Sequence, residues 1–319
     1  MPVLQDPAER FARSGDLARR LDESDYLADE ALSTVAWLAL RLHRPLLLEG
    51  EPGTGKTTLA EALALALDIP LIRLQCYEGI DATQALYDWD FPRQILHLRA
   101  VEALGALERD RDPAAPHRDV EAELFTERFL LARPALAALR QAPVVLLVDE
   151  IDRADDEFEA FLLEMLSTWQ VTIPELGTVR AEVPPVIVLT SNRTRDLHDA
   201  LKRRCLYHWI DHPDLERELA IVRRRVPQVS AGLARQVVTL TQALRSDPDG
   251  QARGSGSEAG LDLVKPPGVA ETIDWARALS ELGAPELDVA TAAATLGVAI
   301  KHREDGDRVR AALDRLLAP

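Results

Sequence analysis

Short apolar runs at residues 45–49, 69–76, 143–150, 186–190 and 206–210 alternate with longer stretches of helical periodicity. The runs are mostly Leu, Val and Ile, and those at 45–49, 143–150 and 186–190 are near-continuous. That is the pattern of strands buried on both faces of a parallel sheet. Between the runs, apolar positions recur every three to four residues, as at Leu27, Ala31, Val35, Leu38 and Leu42, and predict helices. Strand and helix in alternation predict an α/β fold built on a parallel central sheet. Residues 171–183 break the rhythm and predict a β-hairpin with a glycine-containing turn. Beyond residue 213 the apolar runs stop, and residues 214–244, 269–282, 287–302 and 307–317 predict a small, separate, all-helical domain.

Local composition refines this outline. Residues 1–23 are polar, with a Ser14-Gly15-Asp16 interruption, and predict a short helix or a loose arm. Residues 94–140 predict helices with a break at 109–119, where Pro113 and Pro116 end any helix. Residues 151–169 predict one amphipathic helix with a solvated acidic face of Asp155, Asp156, Glu157 and Glu159. Arg223, Arg224 and Arg225, which sit among Glu216 and Glu218, read as a solvated or salt-bridged face. Residues 246–260, rich in Gly, Ser and Asp, predict a loop. Tyr77, Tyr87, Trp89 and Phe91 form the densest aromatic cluster, readable as a protein-contact surface or as a cap on the core.

Chemistry enters with Gly50-Glu51-Pro52-Gly53-Thr54-Gly55-Lys56-Thr57, followed by Thr58 and an apolar helix. An apolar strand, a glycine-rich turn and a helix form the context of a phosphate-binding loop. Glycines let the backbone curl so that its N–H groups converge on phosphate oxygens, and the helix N-terminus adds positive potential. Lys56 offers a charge to the terminal phosphates, and the Thr57 hydroxyl offers a ligand to Mg²⁺. The run at 143–150 ends in Asp149 and Glu150, at the strand end where open parallel sheets bind ligands. Asp149 is suited to hold Mg²⁺ and Glu150 to polarise an attacking water. The run at 186–190 leads into Ser191 and Asn192, and Asn192 can hydrogen-bond a phosphate or that water. Tyr26 and Leu27 precede the first strand and read either as base-pocket residues or as core.

The 319 residues carry 37 Lys and Arg against 53 Asp and Glu, a net charge of −16. That balance disfavours nonspecific binding to nucleic acid or to an anionic membrane. Aromatics make up only 5% of the chain, so Leu, Ala and Val must supply most of the core. Cys76 and Cys205 lack ligand-spaced His and read as two reduced thiols of a cytoplasmic protein. No apolar run reaches the ~20 residues of a membrane span. The first twenty residues lack the apolar core of a signal peptide.

Taken in order, these motifs resemble those of the AAA+ ATPases. Residues 50–57 resemble Walker A, residues 144–150 Walker B, Asn192 sensor 1, and Arg203 and Arg204 the arginine-finger region. The hairpin at 171–183 resembles the pre-sensor-1 hairpin of one AAA+ clade. Within it the chain is similar to the MoxR family, and to its CoxD-like branch, associated with maturation of carbon monoxide dehydrogenase-type molybdenum hydroxylases. The stretches RLQCYEGIDATQALYDWDFPRQ, LTSNRTRDLHDALKRRCLYHWIDHPD and KPPGVAETIDWARAL carry that likeness. The resemblance covers about residues 25–305.

The resemblance implies a three-layer αβα nucleotide-binding domain at 25–212, after an N-terminal arm at 1–24, and a helical lid at 213–319. It implies ATP and Mg²⁺ as cofactors. Gly50, Pro52, Gly53, Thr54, Gly55, Lys56, Thr57 and Thr58 would bind nucleotide, and Thr57 and Asp149 the metal. Glu150 would act as base, Asn192 would orient the water, and Arg204 or Arg203 would reach a neighbour's γ-phosphate. The chain would form a homo-oligomer, typically a hexameric ring. It would act with a von Willebrand factor A-domain protein on a metalloenzyme client. Where many relatives carry a sensor-2 arginine, this chain has Ala270. Two other classes compete. The clade contains helicase-type members, so a nucleic-acid motor is one, which the net charge disfavours. A non-hydrolysing scaffold is the other, which Glu150 disfavours.

Overall fold

A computed structural model describes residues 6–111, 123–245 and 261–318. The predicted break at 109–119 lies largely outside them, since helix α5 (Phe91–Arg111) continues to Arg111. The predicted loop at 246–260 lies wholly outside them. Contacts divide the chain into two compact units. The first contains Met1–Leu17, Glu30–Leu48 and Leu63–His208, and the second Ala18–Asp29, Glu49–Ala62 and Trp209–Pro319.

The apolar runs form a parallel sheet with flanking helices. Strands β1 (Leu46–Gly50), β2 (Leu71–Gln75), β5 (Val145–Asp149), β8 (Val186–Ser191) and β9 (Leu206–Ile210) stand in the order β2-β5-β8-β1-β9. β2 pairs with β5 from Leu71↔Val145 to Gln75↔Asp149, and β5 with β8 from Val145↔Val186 to Val148↔Leu189. Every residue of β5 is buried, which is why the run carries no alternation. The core around it draws on Leu47, Leu74, Leu136, Phe158 and Leu201. The short strands β3 (Tyr87–Trp89) and β4 (Leu130–Ala132) pair antiparallel. So do β6 (Gln170–Ile173) and β7 (Gly177–Arg180), as the hairpin pattern predicts, with Gly177 turning at φ +86°. The aromatic cluster divides between its two readings. Tyr87 and Trp89 pack on the core, with Trp89 edge-on to Phe125 at 5.2 Å, whereas Tyr77 and Phe91 are exposed.

Several predicted boundaries shift for local reasons. The first helix starts at Ser14, so Ser14-Gly15-Asp16 forms its first turn rather than an interruption. The second runs over Glu30–Arg41 and leaves Tyr26 and Leu27 in the segment before it. Residues 151–169 form a 3₁₀ turn (Ile151–Arg153) and then a helix (Asp156–Thr168). The division falls where the Asp155 side chain accepts the Phe158 N–H and caps the new helix. Glu159 is not on a solvated face. It is fully buried, and its carboxylate pairs with Arg195 at 2.5 Å and accepts the His198 N–H at 2.9 Å.

The helical half forms the core of the second unit, around Val222, Val237, Trp275, Leu296 and Val309. Residues 214–244 form two helices, Leu215–Arg225 and Ala231–Arg245, because Pro227 cannot donate the next backbone hydrogen bond. Residues 287–302 likewise shorten to a helix (Val289–Thr295) and a 3₁₀ turn (Leu296–Val298), with the last helix at Arg303–Leu316. Arg224 pairs with Asp22 and Asp25, not with the nearby acids of its own helix. Glu216 instead pairs with Arg235, and Glu218 with Arg245. Among the described residues no helix is long and apolar enough to cross a membrane.

Trp275 is fully buried, and its indole N–H donates to the Thr295 hydroxyl at 2.8 Å. Trp275→Ala is expected to cost about 3–5 kcal/mol, by emptying a large volume and orphaning a polar group. Chemical denaturation of the two proteins, followed by circular dichroism, measures the difference.

Candidate functional site

Two groups of functional side chains form, one in each unit. In the second unit the glycine-rich turn joins β1 to helix α3 (Lys56–Leu67). A Cβ on Gly50 would lie 2.3 Å from the Ile210 carbonyl oxygen, so only glycine allows this approach of backbone to backbone. Gly53 and Gly55 hold φ of +79° and +92°, which bends the turn inward. Thr54 fastens the turn internally, its hydroxyl donating to the Glu51 carbonyl at 2.9 Å. Lys56 is buried, and its Nζ donates to the Gly50 and Glu51 carbonyls, each at 2.8 Å. Pro52 is exposed, and Thr57 and Thr58 are half-buried in the first turn of α3.

Other segments of the same unit surround this turn. Helix Val269–Glu281 begins against it, and a Cβ on Gly53 would sit 3.2 Å from Glu271 Oε2 and 3.3 Å from Gly268 Cα. Ala270 occupies an exposed position in the first turn of that helix. Arg245 is committed elsewhere, forking onto both oxygens of the buried Glu218 and also bonding Thr272 and the Pro267 carbonyl. Half-buried Tyr26 lies 3.8 Å from a Cβ built on Gly55. Burial raises its phenol pKa, against the opposing pull of Arg217. Leu27 gives its carbonyl to Arg217. His212, two residues past β9, buries Nδ1 with no hydrogen-bond partner among the described residues. Burial pushes its imidazole down to about 4, Arg245 and Lys56 add to the fall, and Glu218 and Asp211 oppose it.

In the first unit the C-terminal ends of β2, β5 and β8 assemble the second group. Asp149 is buried, its Oδ1 accepting the Thr190 hydroxyl at 2.5 Å and its Oδ2 meeting Arg73 at 2.6 Å. Glu150 leaves the strand in the left-handed region, φ 55° and ψ 50°. That conformation is uncommon outside glycine and gathers at functional positions. Its N–H donates to Thr190 Oγ1 at 2.9 Å. Its carboxylate takes Gln75 Nε2 at 3.1 Å and Arg153 at 3.0 Å, with Asn192 Nδ2 at 3.5 Å. Asp149, Glu150 and Asn192 are therefore together, as their places at strand ends predict. The cost of this negative charge shows at Cys76, whose thiol is pushed up to about 12 by burial and by Asp149, Asp152 and Glu150. Cys76 and Cys205 are both buried, free thiols.

Arg73, Gln75 and Thr190 belong to this group and were missed in the sequence. A signal existed, because Arg73 and Gln75 are polar at alternate positions of an otherwise apolar run and so share one face of β2. Arg203 and Arg204 are exposed at the end of the helix Asp199–Arg204. Arg44 caps that helix by donating to the carbonyls of residues 203, 204 and 205. The Arg204 guanidinium has a 3.4 Å contact to the Leu163 carbonyl, and that of Arg203 has no partner among the described residues.

A family model described as "ATPase family associated with various cellular activities (AAA)" matches residues 46–210. The uncharacterised protein SH1500 of Staphylococcus haemolyticus is 23% identical, over 69% of this chain and 75% of that relative. The ATP-dependent zinc metalloprotease FtsH 1 of Sorangium cellulosum is 27% identical over 92% of this chain, which spans only 41% of the length of that protein. A solved RuvB mutant from Thermotoga maritima covers 95% of this chain and 76% of its own, at 15% identity and a TM-score of 0.45.

His212 sets a pH dependence with a definite sign. Protonation is harder in the folded chain, so the unfolded chain binds the proton first as pH falls below 6.5, the ordinary value of a free imidazole. Stability is lost between there and about 4, by at most about 3 kcal/mol. In His212→Gln this part of the slope is expected to vanish, measured as the wild-type minus variant difference in unfolding free energy across that range.

Proposed function

The chain belongs to the ATPase family associated with various cellular activities (AAA), and on that premise we propose that it is an Mg²⁺-dependent ATP hydrolase of the MoxR type. The observation that carries this reading is the Asp149–Glu150 pair at the end of a buried strand, with Thr190, Gln75 and Asn192 around it. A site that only bound nucleotide would not need a second carboxylate held beside a hydrogen-bonding amide. Glu150 polarises the attacking water, and Asn192 orients it. Gly50, Pro52, Gly53, Thr54, Gly55 and Thr58 frame the phosphates, and Lys56 supplies their charge. Thr57 and Asp149 are hard oxygen donors of the kind Mg²⁺ prefers, and both fit it. When bound, Mg²⁺ neutralises the charge that develops on the phosphates. Arg73 sets a positive charge 2.6 Å from Asp149 Oδ2.

The reading extends to assembly and client. Arg204, or its neighbour Arg203, completes the site of an adjacent subunit in a homo-oligomeric, hexameric ring; both are exposed at a helix end. Residues 25–212 act as the nucleotide-binding domain, 213–319 as the lid and 1–24 as an arm. The ring works in the cytoplasm with a von Willebrand factor A-domain partner, remodelling a molybdenum hydroxylase client during maturation. The three long CoxD-like stretches support that branch, and the charge of −16 favours a protein client over nucleic acid.

Wild-type protein is expected to turn over ATP only with Mg²⁺. Lys56→Ala should reduce turnover to background and weaken binding of a fluorescent ATP analogue more than about tenfold. Glu150→Gln should keep binding within about threefold while turnover falls about 100-fold or more. Binding lost together with turnover in Glu150→Gln would remove the base role. Mixing Arg204→Ala subunits with Glu150→Gln subunits should restore part of the activity at mixed interfaces. Intact mixed rings with no recovery at any ratio would exclude Arg204 as a residue acting across the interface.

A further inference from the structure

Asp152 is a buried carboxylate to which the chemistry above assigns no role. It is 2% exposed and lies two residues beyond Glu150, in the 3₁₀ turn Ile151–Arg153. Such a charge is costly unless donors meet it. Here the donors come from the loop after β8. Oδ2 accepts the Asn192 N–H at 3.2 Å, the Thr194 N–H at 2.8 Å and the Thr194 hydroxyl at 2.8 Å. Among the described residues Oδ1 is buried without a hydrogen-bond partner, so the loop's donors fall on one oxygen.

The loop is shaped for this. Arg193 lies in the left-handed region at φ 56°, between the two residues whose N–H groups converge on Oδ2. The Arg193 N–H itself donates to Ser191 Oγ at 3.1 Å, so its neighbours on either side supply the donors to Oδ2. A non-glycine residue in that region costs of order 1 kcal/mol, and charge-assisted hydrogen bonds offset it. With the Asn192 main chain held by Asp152, its side-chain amide faces Glu150 Oε1 at 3.5 Å. A second buried carboxylate secures the far end of the loop. Glu159 accepts the His198 N–H and pairs with Arg195, which also donates to the Ala154 carbonyl.

We propose that Asp152 is a positioning residue that sets the Asn192 amide against the Glu150 carboxylate by holding the main chain of residues 192–194. It rests on the ATPase reading. Asp152 touches no reacting atom and acts only through Asn192.

The test is a double-mutant cycle with full-length protein and Mg-ATP. Asp152→Ala is expected to lower kcat about 10–100-fold and leave KM within about threefold. Asp152→Asn can present its carbonyl oxygen to the same donors and should stay within about fivefold of wild type. Thr194→Val removes one of the three donors and should lose about 3–10-fold. In an Asn192→Ala background, Asp152→Ala should cost little more, because both act through one amide. Hydrogen exchange of the 192–194 amides needs no turnover. It should speed up in Asp152→Ala and stay slow in Asp152→Asn. Multiplicative losses in the double mutant, a KM rise matching the kcat loss, or unchanged exchange in Asp152→Ala would each overturn the proposal. If Asp152→Ala does not fold, the same cycle with Thr194→Val decides by the same criteria. A folded wild type without ATP turnover refutes the ATPase reading instead, and exchange then decides whether Asp152 holds the loop.

Discussion

Carboxylates in an apolar interior need donors, and in this chain the donors come from distant segments. Asp149 is met by Arg73 and Thr190, Asp152 by residues 192 and 194, and Glu159 by Arg195 and the His198 N–H. In the helical half Glu218 takes a forked Arg245, and Asp305 takes the N–H groups of Val264 and Lys265. Removing one member of such a set leaves a buried polar group unmatched, which costs about 1–3 kcal/mol. These sets therefore specify which segments come together, whatever they add to net stability.

In the first unit the same requirement organises the chemistry. β5 ends in two carboxylates because the strand ends of a parallel sheet face outward from its buried interior. Thr190 meets both residues at once, donating to Asp149 and accepting the Glu150 N–H. The result is one carboxylate held by an arginine and a hydroxyl, and a second held by Gln75, Asn192 and Arg153. The second unit holds a lysine against the carbonyls of a turn whose glycines admit other backbone at close range.

The legible parts of the chain were those set by local sequence. A glycine spacing, a carboxylate pair after an apolar run and an asparagine after another run all declare themselves within a few residues. Glu159 was misread because its spacing suits a helix surface, and Arg195 and the His198 N–H, from another segment, make its burial tolerable. Arg224 is salt-bridged, as one of its two readings has it, but its partners Asp22 and Asp25 are far away in sequence and nothing in its own helix names them. Pro227 and Asp155 were local signals of helix ends that a purely periodic reading passes over.

By itself the amino-acid sequence determined the alternation of buried strands and helices, the helical C-terminal half and the places of the glycine-rich turn and the acidic pair. These follow from periodicity and from residue chemistry at short range. Only the tertiary structure decided which donors meet each buried carboxylate, that Arg73, Gln75 and Thr190 join the acidic pair, and that the loop after β8 is fastened through Asp152. Those outcomes depend on strand order and register, which bring together residues dozens of positions apart, and no local pattern of hydrophobicity encodes that.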